Sequence, residues 1–118
     1  MATTRIESRQ VGDRTFQVVI AEANGAFAEI WPELGGNCAR WFHPNAGEIL
    51  FAPTINELIE RPTRGGIPIL FPFPNRIRDG RFTWAGRNYH LPKNDSTGAN
   101  AIHVVASGRS RSVFRPLQ

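Results

Sequence analysis

Few side chains in this 118-residue sequence could carry chemistry. There are three histidines, His43, His90 and His103, and one cysteine, Cys38. A lone thiol cannot close an internal disulfide, and no CxxC or Cys/His cluster suggests zinc. Nothing beside Cys38 would lower its pKa, so it reads as a small buried side chain in a reducing compartment. Arg76 stands out by context. Pro68, Pro72 and Pro74 fall within seven residues and remove backbone donors while fixing φ. The stretch is therefore expected to be rigid, extended, non-ladder chain, packed by Ile67, Ile69, Leu70, Phe71 and Phe73. A stiff apolar segment ending in Asn75-Arg76 can hold a guanidinium over a pocket. Arginine offers fixed donors to hydroxyl or ring oxygens, and histidine donates or accepts as its tautomer dictates. Such groups bind and polarise without forming a complete acid/base pair. On their own, Arg76 reads as a solvated turn charge and His103 as a satisfied structural histidine.

The elements that would position these groups are strands. Thr15–Ala23 is β-branched and aromatic with no breaker, Asn24-Gly25 is a hairpin turn, and Ala26–Trp31 returns. In the returning strand Phe27 and Glu29 share one face, Ala28 and Ile30 the other. Cys38–His43 is a third strand and Glu48–Phe51 a short fourth, separated by Pro- and Gly-containing turns. Thr54–Glu60 is the one helical candidate, with Thr54 and Glu57 at capping-box spacing and Pro53 and Pro62 confining it to one or two turns. Gly65-Gly66 permits a turn or a close backbone approach. Asp79-Gly80 turns into a strand at Arg81–Trp84, and Ala85-Gly86 turns back into Arg87–Leu91. His43 and His90 are a turn and a strand residue, Glu57 and Glu60 a solvated helix face. The pattern is all-β and antiparallel with one short helix.

Hydrophobic residues make up 41 %, which allows a core and excludes wholesale disorder. The polar first ten residues hold no signal peptide, and no apolar run approaches the roughly 20 residues needed to span a bilayer. A cytoplasmic protein without membrane contact is the expectation. The net charge is +4, but Arg109, Arg111 and Arg115 lie in the last fifteen residues, which contain no acid. Without them 11 basic residues face 10 acidic ones, and no basic stripe with interleaved aromatics precedes residue 104. A nucleic-acid partner is therefore not expected.

The string Arg64–His103, with GGIPILFPFPNRI, then GRF, then G-x-x-Y-x-L-P-x-N, then N-x-x-H, resembles the aldose 1-epimerase (galactose mutarotase) family. The resemblance runs over residues 11–103, weakly before Arg64 and densely after it. It implies the N-terminal third of a large antiparallel β-sandwich, a galactose mutarotase-like supersandwich. It further implies an isomerase of carbohydrate metabolism that interconverts sugar anomers without metal or cofactor, on an aldohexose such as galactose or glucose. Within the family pattern, Arg76 and His103 match residues that contact the sugar, and the resemblance implies Asn75 as a third substrate-binding residue. The two are then expected close together on one side of the sheet.

The family's general acid, a second His, and its general base, a late Glu, have no counterpart among these residues. The resemblance therefore implies substrate-binding residues but no catalytic pair, and no activity for this chain alone. Residues 1–103 read as the N-terminal portion of the family domain. Residues 104–118 match nothing in the pattern: Val104 stands where the family has Gly, and the arginine-rich remainder suggests a frameshifted tail foreign to the fold. Two other readings remain. One is a hexose-6-phosphate 1-epimerase-like member, sharing Gly-Gly-Ile-Pro and Phe-Pro, and the other is a non-catalytic carbohydrate-binding fragment.

Overall fold

A computed structural model describes residues 1–105 and 115–116, the last two and Val104–Val105 in backbone only. The chain forms two compact units, Met1–Ile69 and Leu70–Gln118. The expectation of a foreign tail over 104–118 falls mostly outside the described residues.

The first unit is a five-stranded antiparallel sheet in sequence order: β1 (Ala2–Val11), β2 (Arg14–Ala23), β3 (Ala26–Trp31), β4 (Asn37–His43) and β5 (Gly47–Glu48). β2, β3 and β4 form where the β-branched and aromatic runs lie, and Asn24-Gly25 joins β2 to β3 with both residues at positive φ. β1 corrects the reading of the N-terminus as merely polar. It pairs with β2 along its whole length, from Ala2 opposite Ala23 to Val11 opposite Arg14. Apolar periodicity does not mark β1, because Arg5, Glu7 and Arg9 occupy its inward face and are paired there as ions. β5 is shorter than the expected Glu48–Phe51, and Phe51 is exposed.

The core of this unit lies on the face carrying Phe16, Val18 and Ile20 of β2, all at most 2 % exposed. Trp31, Leu34 and Ala39 complete it with Leu58 of the helix α1 (Ile55–Glu60), and Ile55 and Ile59 pack at its margin. Thr54 caps α1 as its spacing predicts. Its hydroxyl accepts from the Glu57 N–H, and the Glu57 carboxylate accepts from the Thr54 N–H at 3.0 Å. That reciprocal box starts a six-residue helix that has little stability of its own, and Leu58, fully buried, anchors it to the sheet.

In the second unit, β6 (Leu70–Ile77) pairs with β9 (Ala101–Val105), and β7 (Arg81–Trp84) with β8 (Arg87–His90). The backbone of β10 (Arg115–Pro116) pairs with β8. β6 is a strand where non-ladder chain was expected. The proline argument survives at residue level, since Pro72 and Pro74 fall in the interval between Phe71 and Arg76 where the register shifts and no partners are made. The architecture is all-β and antiparallel. Among the described residues no helix is long and apolar enough to cross a membrane, and no group of three His, Cys, Asp or Glu could hold a metal.

Candidate functional site

Asn75 and Arg76 sit in the irregular part of β6. Asn75 has a φ of 59°, a left-handed conformation that asparagine tolerates better than most residues. It absorbs the shift in register just before Arg76 rejoins the ladder opposite Ile102. The Asn75 side chain lies beside the guanidinium, accepting from Arg76 Nη1 at a long 3.4 Å.

β9 brings His103 to the neighbouring position, one residue along from Ile102. The expected closeness of the two positions in the chain trace is thus present, but a shared face is not what the pleat provides. Arg76 lies on the face of its partner Ile102, and alternation along β9 turns His103 to the other face. His103 is half-buried, and its Nδ1 is buried with no hydrogen-bond partner among the described residues. A buried unpaired ring nitrogen costs free energy, so it marks a place where a ligand or water would be favoured.

The residue that organises this region carries no motif in the sequence. Asp95 lies in the loop between β8 and β9, with its side chain wholly buried. One carboxylate oxygen accepts from Arg76 Nε at 3.2 Å and from Asn100 Nδ2 at 3.0 Å. The other accepts from the Thr97 hydroxyl at 2.8 Å and from the N–H groups of Ala99 and Asn100. These donors hold the Asp95 carboxyl well below the usual carboxylate range, the Asn100 amide most of all, against the opposing effect of burial. Its only sequence signal is Asn94-Asp95-Ser96-Thr97-Gly98, a turn-rich cluster whose side chains bond their own backbone. Asn94 and Asn100 tie the loop outward, Asn94 accepting from the Ile102 N–H at 2.8 Å and Asn100 from the Asp79 N–H at 3.2 Å. Arg76 therefore carries its Nε on a fixed anion, while its Nη2 makes no hydrogen bond among the described residues.

The remaining candidates fall elsewhere. His90 lies on β8 and His43 ends β4, where its Nδ1 accepts from the Asn45 N–H at 3.2 Å. Cys38 is half-buried rather than fully enclosed, and burial pushes its thiol pKa up, away from a reactive thiolate.

Comparison with known proteins agrees with this architecture. The chain is similar to a galactose mutarotase-like protein from Clostridium acetobutylicum, with 32 % identity and a TM-score of 0.73. The match covers 87 % of this chain but 32 % of that protein, so the chain spans about a third of its relative's length. The aldose 1-epimerase family model matches residues 17–115. A match over so much of the chain, together with the antiparallel strand pattern and the mutarotase-like fold, establishes that this chain belongs to the aldose 1-epimerase family.

Proposed function

We propose that the chain supplies sugar-binding residues to an aldose 1-epimerase acting on an aldohexose such as galactose or glucose, with His103 and Arg76 as contacts and Asn75, just before Arg76 in β6, as a third binding residue. The observation that carries this is the buried Nδ1 of His103, without a partner among the described residues, one ladder position from an arginine fixed by Asp95. The pleat starts the two side chains on opposite faces, so one sugar meets both only across the edge of the β6–β9 ribbon. His103 acts through its free ring nitrogen, and Arg76 through Nη2 at the strand edge.

Mutarotation opens a cyclic hemiacetal and recloses it on the other face of C1. A base removes the C1 hydroxyl proton while an acid protonates the ring oxygen as the C1–O5 bond breaks, and the roles reverse on closure. A guanidinium donating to hydroxyl or ring oxygens orients the sugar, and His103 can donate to or accept from a hydroxyl. Neither supplies the full pair, so the chain alone gives no rate above buffer in polarimetry of freshly dissolved α-glucose. A rate that His103→Ala abolishes would overturn that assignment.

Binding is tested by titrating galactose and glucose and following the His103 ring resonances by NMR. Saturable shifts lost in His103→Ala support the reading. A double-mutant cycle with Arg76→Ala then decides whether both groups touch one sugar: coupled losses require it, and strictly additive ones refute it.

A further inference from the structure

The first unit holds a second chemically distinctive place that the sugar-binding reading does not use. On the inward face of the sheet, seven charged side chains alternate in sign. They run Glu22, Arg5, Glu7, Arg9, Glu29, Arg40, Glu48, and each is ion-paired to the next. Glu29 is the buried link, 5 % exposed, with one oxygen 3.3 Å from both Arg9 Nη2 and Arg40 Nη1. Its other oxygen accepts no hydrogen bond among the described residues.

Where this ribbon meets the helix α1 a cleft of about 490 Å³ opens, a size suited to one small molecule. One side is polar, with Arg9, Arg40, Glu29 and Glu48. The other is apolar, with Leu50, Ala52 and Ile55 from the segment after β5 and helix α1, and Val11 borders the ribbon beside Arg9. Trp31 lines the cleft too, and its indole Nε1 is buried with no hydrogen-bond partner among the described residues.

We propose that this cleft binds a neutral polyhydroxylated ring of pyranose size. The charges decide the class. Two arginines and two glutamates line the wall and cancel, so an ionic ligand gains no net attraction, and a wholly apolar one would strand charges and an indole N–H away from water. A polyol satisfies both sides. Its hydroxyls donate to the free Glu29 oxygen and accept from the guanidinium edges, while its C–H face lies on Leu50 and Ile55 beside Trp31. The site lies wholly within Met1–Ile69 and does not depend on Arg76 or His103.

The test uses the whole chain and the indole N–H resonance of Trp31, identified by its disappearance in Trp31→Phe. Galactose, glucose and myo-inositol each move this resonance saturably in the millimolar range, whereas glucuronate does not. The Arg76→Ala/His103→Ala double variant keeps the response, which separates this site from the sugar-binding reading above. Ala52→Leu, which fills the cleft without touching the ribbon, weakens binding at least tenfold, and Ala52→Ser does not. If Ala52→Leu loses its dispersed spectrum, Glu48→Gln carries the same test. Glu48 is half-exposed, and its neutralisation leaves the lining positive and admits glucuronate. A Trp31 resonance unmoved by about 100 mM of each polyol, a range covering millimolar Kd values, overturns the proposal. So does a response that Ala52→Leu and Glu48→Gln leave unchanged, or one lost in the Arg76→Ala/His103→Ala variant.

Discussion

Arg76 donates its Nε–H to the buried carboxylate of Asp95 at 3.2 Å, across nineteen residues of sequence and from a different element. The pair is asymmetric. The arginine side chain is about half exposed, while the carboxylate has no exposed surface and four further donors. Asp95 thus belongs to its loop first and holds the arginine second.

The pH dependence follows from that arrangement. The folded-state pKa of Asp95 is depressed from its ordinary 3.8, so its contribution to stability is fully present above that value. It declines as pH falls below 3.8 and vanishes only when the folded carboxyl itself protonates, well into acid. Thermal melts of the unaltered chain and Asp95→Asn should therefore differ most near neutrality and converge in acid. A difference that widens as the pH falls would contradict the assignment.

Asp95→Asn should also reach the sugar. An amide nitrogen in place of the oxygen shared by Arg76 Nε and Asn100 Nδ2 faces both donors, and the guanidinium loses its charged partner in either amide orientation. Galactose binding followed at His103 is expected to weaken about tenfold, the usual scale for losing a charge-assisted hydrogen bond. The Arg76 Nε–H resonance should lose its protection from solvent exchange in the same variant. Protection retained would show that the Arg76–Asp95 contact does not form in solution.

Leu58→Ala should be among the most damaging substitutions in the first unit. Leu58 is fully buried beside Phe16 and Trp31, and its helix holds few other anchors. A loss of about 2–5 kcal/mol is expected from the missing side chain and the cavity it leaves. Thr54→Ala, which removes the cap of the same helix, should cost about 1 kcal/mol. Denaturant melts measure both, and a larger effect at Thr54 than at Leu58 would reverse the argument.

Gly66→Ala tests the close approach foreseen at Gly65-Gly66. Gly66 has a φ of 69°, and a β-carbon there would collide with the Asn37 side chain and lie 2.5 Å from the Cys38 carbonyl. Asn37 cannot retreat cheaply, because its Nδ2 donates to the Pro62 carbonyl at 2.9 Å and the Gly65 carbonyl at 3.1 Å. Destabilisation beyond the roughly 1 kcal/mol of an ordinary Gly-to-Ala conflict is expected, read from the same melts. A neutral outcome would mean that this loop relaxes freely.

Much of this was legible in the residues. The hairpin at Asn24-Gly25, the short capped helix and the β7–β8 turn are local, since turn chemistry and capping act within a few residues. The family pattern from Arg64 to His103 is local as well, a string of motifs in fixed order. β1 was hidden because its inward face is charged, and it becomes a strand through Glu7, Glu22 and Glu29, which pair its arginines from three strands. Asp95 looked like any turn residue, since its burial and its hold on Arg76 arise only when the loop folds over β6. The facing of Arg76 and His103 shows the same divide. Residue types and order were enough to nominate both, but a ladder's register depends on long-range pairing and on the irregular backbone at Asn75. A shift of one position turns a side chain to the opposite face.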